Sequence, residues 1–283
     1  MMRGANARGG QGVERLPHSG WREQAGLAVQ DVRDALRGHH AWVALAWMDI
    51  KHRYRRSVIG PFWITITMMV LIAGIGTLYG LLFRLPLREY LPYIALGDIV
   101  WIYMSTAAQE GCGAFTGSEN MIRSLKLPFM THIMRAVLRT FIVFLHGAVA
   151  YIPFLFILQI SPEWIWLMAI PGVVLVAAMT VPLSMLLAVA ATRFRDIQPS
   201  IANVMQLAFF LTPIIWKPDM LGEHRWVADI NPFYHFIQVV RAPMMGEMPS
   251  TLSYLYCVGF ILALVILAVP VFVLGRRKIS VWV

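Results

Sequence analysis

Positions 164–192 read WIWLMAIPGVVLVAAMTVPLSMLLAVAAT, a stretch with no Asp, Glu, Lys or Arg. A hydrocarbon core about 30 Å thick is crossed by roughly 20 helical residues, so this stretch is long enough to span a membrane once. Four more stretches share the property: 57–83, 140–162, 197–216 and 248–275. A sixth, 91–112, is apolar but holds Asp98 and Glu110. One such run could be a core helix of a soluble protein; five in one chain exclude that class. Composition agrees, with 58% hydrophobic and only 14% charged residues, where soluble chains carry about a quarter charged. The expected fold is all-α and integral to the membrane. Six transmembrane helices lie at about 57–83, 91–112, 140–160, 164–191, 198–216 and 251–275, within a domain of 57–275.

Charge sets the orientation. An even number of spans puts both termini on one side. With the N-terminus in the cytosol, segments 1–56, 113–139, 193–196 and 276–283 carry 19 Lys and Arg, against five in the outer segments. That asymmetry follows the positive-inside rule, so both termini, including 276–283, are expected in the cytosol. The net charge of +9 is thereby explained by topology and anionic inner-leaflet lipid, and no nucleic-acid partner is needed. Residues 1–28 begin polar and rich in Gly and Arg, without the apolar core of a signal peptide, and are expected to form a disordered cytosolic tail.

Between tail and spans, residues 29–56 show helical periodicity. Val43, Trp47, Ile50 and Tyr54 share one face while Asp49, Lys51, Arg53 and Arg55 project elsewhere, with a Gly-His-His interruption at 38–40. This reads as an amphipathic helix in the cytosolic interface, with Trp42 and Trp47 at headgroup depth; a solvated helix packed on protein is the alternative. Pro61 suits the start of the first span. Gly76 and Gly80, four apart, let a second helix approach closely. Between spans two and three, 118–127 forms a short polar helix: Ser118 can cap it, Glu119 suits its first turn, Arg123 and Lys126 its end, and Pro128 stops it. Segment 217–250 is the longest outer connection and too apolar for a free loop, so it is expected to re-enter the outer half of the membrane in part.

Several chemistries are absent. No G-x-x-x-x-G-K-[ST] phosphate loop, G-x-S-x-G, H-E-x-x-H or C-x-x-C occurs. Cys112 and Cys257 are small apolar packing residues rather than ligands or a disulfide, and no metal site is expected. Asp98 and Glu110 stand out, because intramembrane carboxylates cost roughly 2.5–3.5 kcal/mol on insertion scales. Twelve residues apart, about 18 Å along a helix, they are too distant to act as a pair. Glu110, at the inner interface, can lie in water or pair with an arginine.

Three local runs resemble one family. The run from Asp49 through Lys51, Arg53, Tyr54 and Gly60 to Trp63 resembles the entry to the first span of the ABC type-2 permeases that export polysaccharides. Glu110-Gly111-Cys112, then Asn120 to Pro128, is similar to their second-span end and cytosolic coupling helix. Arg193 to Ile197, Leu211 to Trp216, and Asn231-Pro232 with His235 resemble their last third. The likeness covers roughly 45–280; residues 1–28 lie outside it, and Asp98 stands where an apolar or small residue is expected.

The resemblance implies a permease that pairs with a second copy of itself and with two copies of a separate ABC ATPase. ATP and Mg would be bound there and no cofactor in this chain. Coupling would run through Ser118, Glu119, Asn120, Met121, Ile122, Arg123 and Lys126 and through the interface helix. Spans one and five of both copies would line the channel. The implied substrate is a lipid-linked polysaccharide, O-antigen on undecaprenyl pyrophosphate, crossing a bacterial inner membrane; a capsular or teichoic-acid-like polymer is the nearest alternative. Rings pack on sugar C–H faces, which makes Phe62, Trp63, Tyr79 and Phe83 on span one, and Phe209, Phe210 and Trp216 on span five, the substrate-path candidates. Span-end aromatics such as Trp63 and Trp216 also suit an interfacial belt. A membrane-bound lipid- or sugar-modifying enzyme would need a reactive constellation; only Glu110 and His235 come near, on opposite sides. A passive channel would need no coupling helix.

Overall fold

The computed structural model describes residues 20–55, 59–60 and 62–283. The expectations for most of the tail and for Pro61 lie outside the described residues. The chain forms α1 (Trp21–Arg37), α2 (His39–Tyr54), α3 (Phe62–Leu82), α4 (Leu87–Cys112), α5 (Glu119–Ser124), α6 (Phe129–Ala148), α7 (Ile152–Ile157), α8 (Ala169–Arg193), α9 (Ile197–Leu211), α10 (Trp226–Asp229), α11 (Pro232–Met244) and α12 (Thr251–Trp282). No strand occurs among the described residues.

Five helical segments are long and apolar enough to cross a membrane: Phe62–Leu82, Leu87–Cys112, Phe129–Ile157, Trp164–Arg193 and Thr251–Trp282. They differ in place. The most apolar window of α4 is 78% buried and that of α3 only 28%, so α4 is the central helix and α3 a peripheral one. The exposed surface of α3 is apolar, with Val70, Leu78, Leu81 and Leu82 all outward, as a lipid-facing helix requires. Helix α4 packs on α3, α6, α8, α9 and α11, and α12 lies along α8.

Four boundaries move. The third apolar helix begins at Phe129, not near 140, because Arg135 and Arg139 lie on its first turns and pair there with acids. Helix α12 does not stop at 275; it continues through Arg276-Arg277-Lys278 to Trp282. Residues 21–28, expected within the tail, are the first turns of α1, with Ala28 buried. The expected span at 198–216 is a 15-residue helix, α9, about 22 Å long at 1.5 Å per residue. It ends where Thr212 leaves the helical conformation.

The segment after α9 is irregular and buried from Thr212 to Ile214. Buried backbone carbonyls need donors, and neighbouring helices supply them. Arg241 Nη1 of α11 donates to Pro213 O at 2.8 Å. Tyr93 Oη of α4 lies 3.2 Å from Pro213 O and 3.0 Å from Trp216 O, and its proton can go to either. Tyr90 Oη donates to Ile215 O. Asn231 secures the same corner twice. Its Oδ1 accepts from Phe233 N at 3.0 Å to cap α11, and its Nδ2 donates to Thr212 Oγ1 at 3.0 Å. Pro232 at the first position of α11 needs no partner for its nitrogen. Helix α11 is buried on most sides and meets α4, α8 and α12. At Gly172 of α8 an added Cβ would sit 2.3 Å from Val239 O, so these two backbones touch. His235 Nε2 donates to Asp229 O at 2.7 Å and Nδ1 accepts from Ser253 Oγ at 3.0 Å, a structural link to α12.

Candidate functional site: the polar end of the helix bundle

The polar helix after α4 is shorter than the sequence implies. A 3₁₀ turn covers Thr116–Ser118, α5 covers only Glu119–Ser124, and Leu125 is already extended. Ser118 makes no side-chain cap. Asn120, Arg123 and Lys126 are exposed, while Met121 and Ile122 are half-buried. Glu119 pairs with Arg123 one turn on at 2.9 Å, an exposed pair worth a few tenths of a kcal/mol. Arg123 Nη2 also donates to Val283 O at 2.9 Å, which ties α5 to the end of α12. Met121 Sδ accepts from Arg135 Nη1 of α6 at 3.8 Å. Helix α5 is therefore exposed on one face and tethered on two sides.

Behind it lies an ionic network. Arg135 and Arg139 are four apart on α6, and Asp49 and Arg53 four apart on α2, so each pair presents one face. Asp49 accepts from Arg135 Nε at 2.7 Å and Nη2 at 2.5 Å, and from Arg139 Nη1 at 2.6 Å. Arg139 Nη2 also donates to Glu110 at the end of α4, and Arg53 Nη2 donates to Glu110 at 3.0 Å. Three helices meet through charge-assisted bonds, which are the strong class. All members but Arg53 are a quarter exposed or less. Burial raises the Asp49 pKa, but the bonds and charges of Arg135, then Arg139, outweigh it and hold the carboxyl below its ordinary value. Asp49, off the apolar face of α2, thus meets α6 rather than water, and the alternative of a helix packed on protein is the one that holds. Trp42 Nε1 donates back to Ala35 O at 3.1 Å, bracing α2 on α1, and Trp47 remains half exposed.

Asp31 is a structural position that sequence reasoning missed. It is 3% exposed. Its carboxylate accepts from the backbone N–H of Phe129 at 3.0 Å and of Met130 at 2.8 Å, and from Arg276 Nε at 3.2 Å. Helix α6 starts after Pro128, which offers no side-chain acceptor for the free N–H groups of the first turn. An acid from α1 caps it across the fold, where the positive end of the helix dipole favours negative charge. The signal available in sequence was the uncapped Pro128 start.

The membrane-facing candidates divide by burial. Gly76 and Gly80 face α4: an added Cβ would lie 2.5 Å from Leu91 Cδ2 and 2.5 Å from Leu87 Cδ2 respectively. Tyr79 and Phe83 are half-buried and pack on the same helix. Their rings are 5.6 Å apart, and Phe83 meets Tyr90 edge-on at 6.5 Å. Glycine and aromatic faces of α3 are therefore neighbours on α4. Phe62, Trp63 and Phe210 are 61%, 60% and 64% exposed. Phe209 packs on Trp101 at 5.8 Å, and Trp216 Nε1 donates to Phe210 O at 3.0 Å. Asp98 is buried in α4 with Oδ2 unpartnered among the described residues. Among those residues no three or more His, Cys, Asp or Glu gather as a metal site.

Long apolar helices carrying a hydrogen-bonded charge network at one end, with a short tethered helix on its surface, define a polytopic helical membrane protein. The ABC-2 type transporter family matches residues 40–245, and the chain belongs to it. It is similar to an O-antigen export system permease protein RfbA of Klebsiella pneumoniae, 26% identical over 231 residues, which covers 80% of this chain and 89% of that protein. A protein of the same name from Myxococcus xanthus is 27% identical over 208 residues, covering 69% of this chain and 75% of that one.

Proposed function

We propose that the chain is the channel-forming permease of an ATP-driven exporter that moves a lipid-linked polysaccharide of the O-antigen kind across the bacterial inner membrane, with undecaprenyl pyrophosphate as the carrier. The observation that carries this reading is the extent of likeness to the O-antigen permeases, which runs over most of both chains rather than over one segment. The permease acts as a homodimer with two copies of a separate ABC ATPase that binds ATP and Mg. Both termini and α5 face the cytosol, in keeping with the charge asymmetry. Helix α9 with Thr212–Trp216 makes a sixth crossing, and α10 and α11 re-enter from outside.

In this reading ATPase closure pushes on α5, at Glu119, Asn120, Ile122 and Arg123, and on Lys126 just beyond it. Displacement passes to α6 through Met121 and Arg135, and from α6 to α2 and α4 through Asp49, Arg139 and Glu110. The exposed rings of Phe62 and Phe210 suit contact with sugar faces where two copies meet; Phe209 and Trp216 lie beside Phe210, and Tyr79 and Phe83 sit at the opposite end of α3 from Phe62, against α4. Deletion of the gene tests the proposal. The expected result is loss of surface polysaccharide with lipid-linked polymer accumulating inside, restored by the wild-type gene. Normal surface polymer in the deletion strain would refute it.

A further inference from the structure

Arg241 is 2% exposed, and among the described residues no carboxylate pairs with it. Its guanidinium donates to Pro213 O and to Gln238 Oε1, at 2.8 and 3.1 Å, and lies 3.8 Å over the Tyr93 ring. These partners are neutral. They offer partial charges, whereas removing an ion from water costs several kcal/mol even after relaxation. A second cation is beside it: Lys217 Nζ lies 5.7 Å from the centroid of the same Tyr93 ring, also without an ion pair among the described residues.

Both cations line a cavity of about 200 Å³ between the outer ends of α4 and α11, together with the side chains of Tyr234 and Gln238. Three other charges line it. Arg225 and Asp219 pair with each other at 2.7 Å and are largely exposed, so they cancel. Glu247 makes no ion pair with either cation, though its charge acts on Arg241 from a distance. The cavity is left with two cations against one carboxylate, and with tyrosine and amide groups that can donate. Its size lies below the roughly 300–1,000 Å³ of sites for drug-sized ligands, which fits one compact group and not a run of sugar rings. A planar guanidinium fork beside a mobile ammonium is the pairing that suits phosphate oxygens.

We infer that this outer cavity is an anion site for a phosphate or diphosphate group. That the group belongs to the head of a polyprenyl carrier lipid rests on the function proposed above; that the cavity takes a phosphate does not. The shared chemistry is the phosphate oxygens, which a lipid head or free diphosphate can equally supply.

The test uses the full-length chain in nanodiscs of neutral phosphatidylcholine and reads binding only, so it stands apart from any failure of export. One arm titrates inorganic pyrophosphate, with glucose as the neutral control. The other measures retention of undecaprenyl phosphate against undecaprenol by native mass spectrometry. At least one phosphate-bearing probe is expected to bind saturably, and glucose and undecaprenol are not. Pyrophosphate alone would assign a free anion as the occupant, and undecaprenyl phosphate alone a lipid head. Lys217→Gln should weaken binding about tenfold and Glu247→Gln should strengthen it several-fold, opposite signs that a merely structural role would not produce. Arg241→Lys should weaken it further, and if that variant does not fold the other two carry the test. Failure of both phosphate probes would overturn the inference, and so would equal binding by undecaprenol or unchanged affinity in Lys217→Gln.

Discussion

Replacing Asp31 by Ala removes an acceptor from a site with no visible substitute. Two backbone N–H groups at the start of α6 lose their partner, one buried and one partly buried. An unsatisfied buried donor costs roughly 1–3 kcal/mol, so the pair amounts to about 2–4 kcal/mol. Arg276, a quarter exposed, can turn to water and adds little. Asp31→Asn keeps one acceptor oxygen and should cost about half as much. Hydrogen exchange by mass spectrometry, on peptides covering 128–134 in detergent, reads this locally. The opening equilibrium of the Phe129 and Met130 amides should rise roughly 30- to 700-fold in Asp31→Ala, at 1.4 kcal/mol per tenfold, while peptides from α9 stay unchanged. Exchange at 129–130 within about threefold of wild type would refute the cap.

Gly80→Leu should weaken the α3–α4 contact by about 1–3 kcal/mol, since even a Cβ meets Leu87 at 2.5 Å and Tyr90 at 3.2 Å; Tyr79→Ala, on a half-buried ring, should cost less, and size-exclusion chromatography after heating ranks them. The α2–α6 link should survive mild acid. Asp49 ionises below its ordinary 3.8, so its stabilisation is complete above that value and lost only as pH falls through the lower folded pKa. Spin-label distances from α2 to α6 should hold from pH 8 to 5 in wild type and broaden at both in Asp49→Asn. For topology, a cysteine at Val281, 80% exposed, should label only from the cytosol and one at Arg225 only from outside; Ile279 is fully buried and unsuitable. Labelling of position 281 from outside would overturn the orientation.

Four of the five long apolar helices were legible because absence of charge over about 20 residues has one physical cause, the bilayer; the fifth charge-free run, 197–216, holds a helix of only 15 residues, and α4 was read despite Asp98 and Glu110. The same criterion clipped α6, whose Arg135 and Arg139 are charges neutralised by acids far away in sequence. It also cut α12 at Arg276, although a helix leaving the membrane need not unwind. The polar stretch of α5 was readable from Glu119, Arg123 and Pro128, but its length was not. The helix ends at Ser124 because the backbone is already extended at Leu125. The roles of Asp31 and Asp49 depend on which helices pack together, and α-helical periodicity carries no information about the partner. The tyrosines that satisfy 212–216 were hidden for the same reason: Tyr90 and Tyr93 look like ordinary span-end aromatics until the irregular backbone beside them is seen.

The most direct measurement is translocation in proteoliposomes holding the chain and its ATPase, with lipid-linked polysaccharide supplied on the ATP side and its appearance opposite read by a glycosidase that cannot enter. Transfer should require both subunits and ATP. Arg123→Asp, which breaks the pair with Glu119 within α5 and the link to the end of α12, should leave the chain inserted while cutting transfer per ATP at least several-fold. Transfer without ATP or without the ATPase, or the same transfer per ATP in Arg123→Asp, would contradict a permease driven through α5.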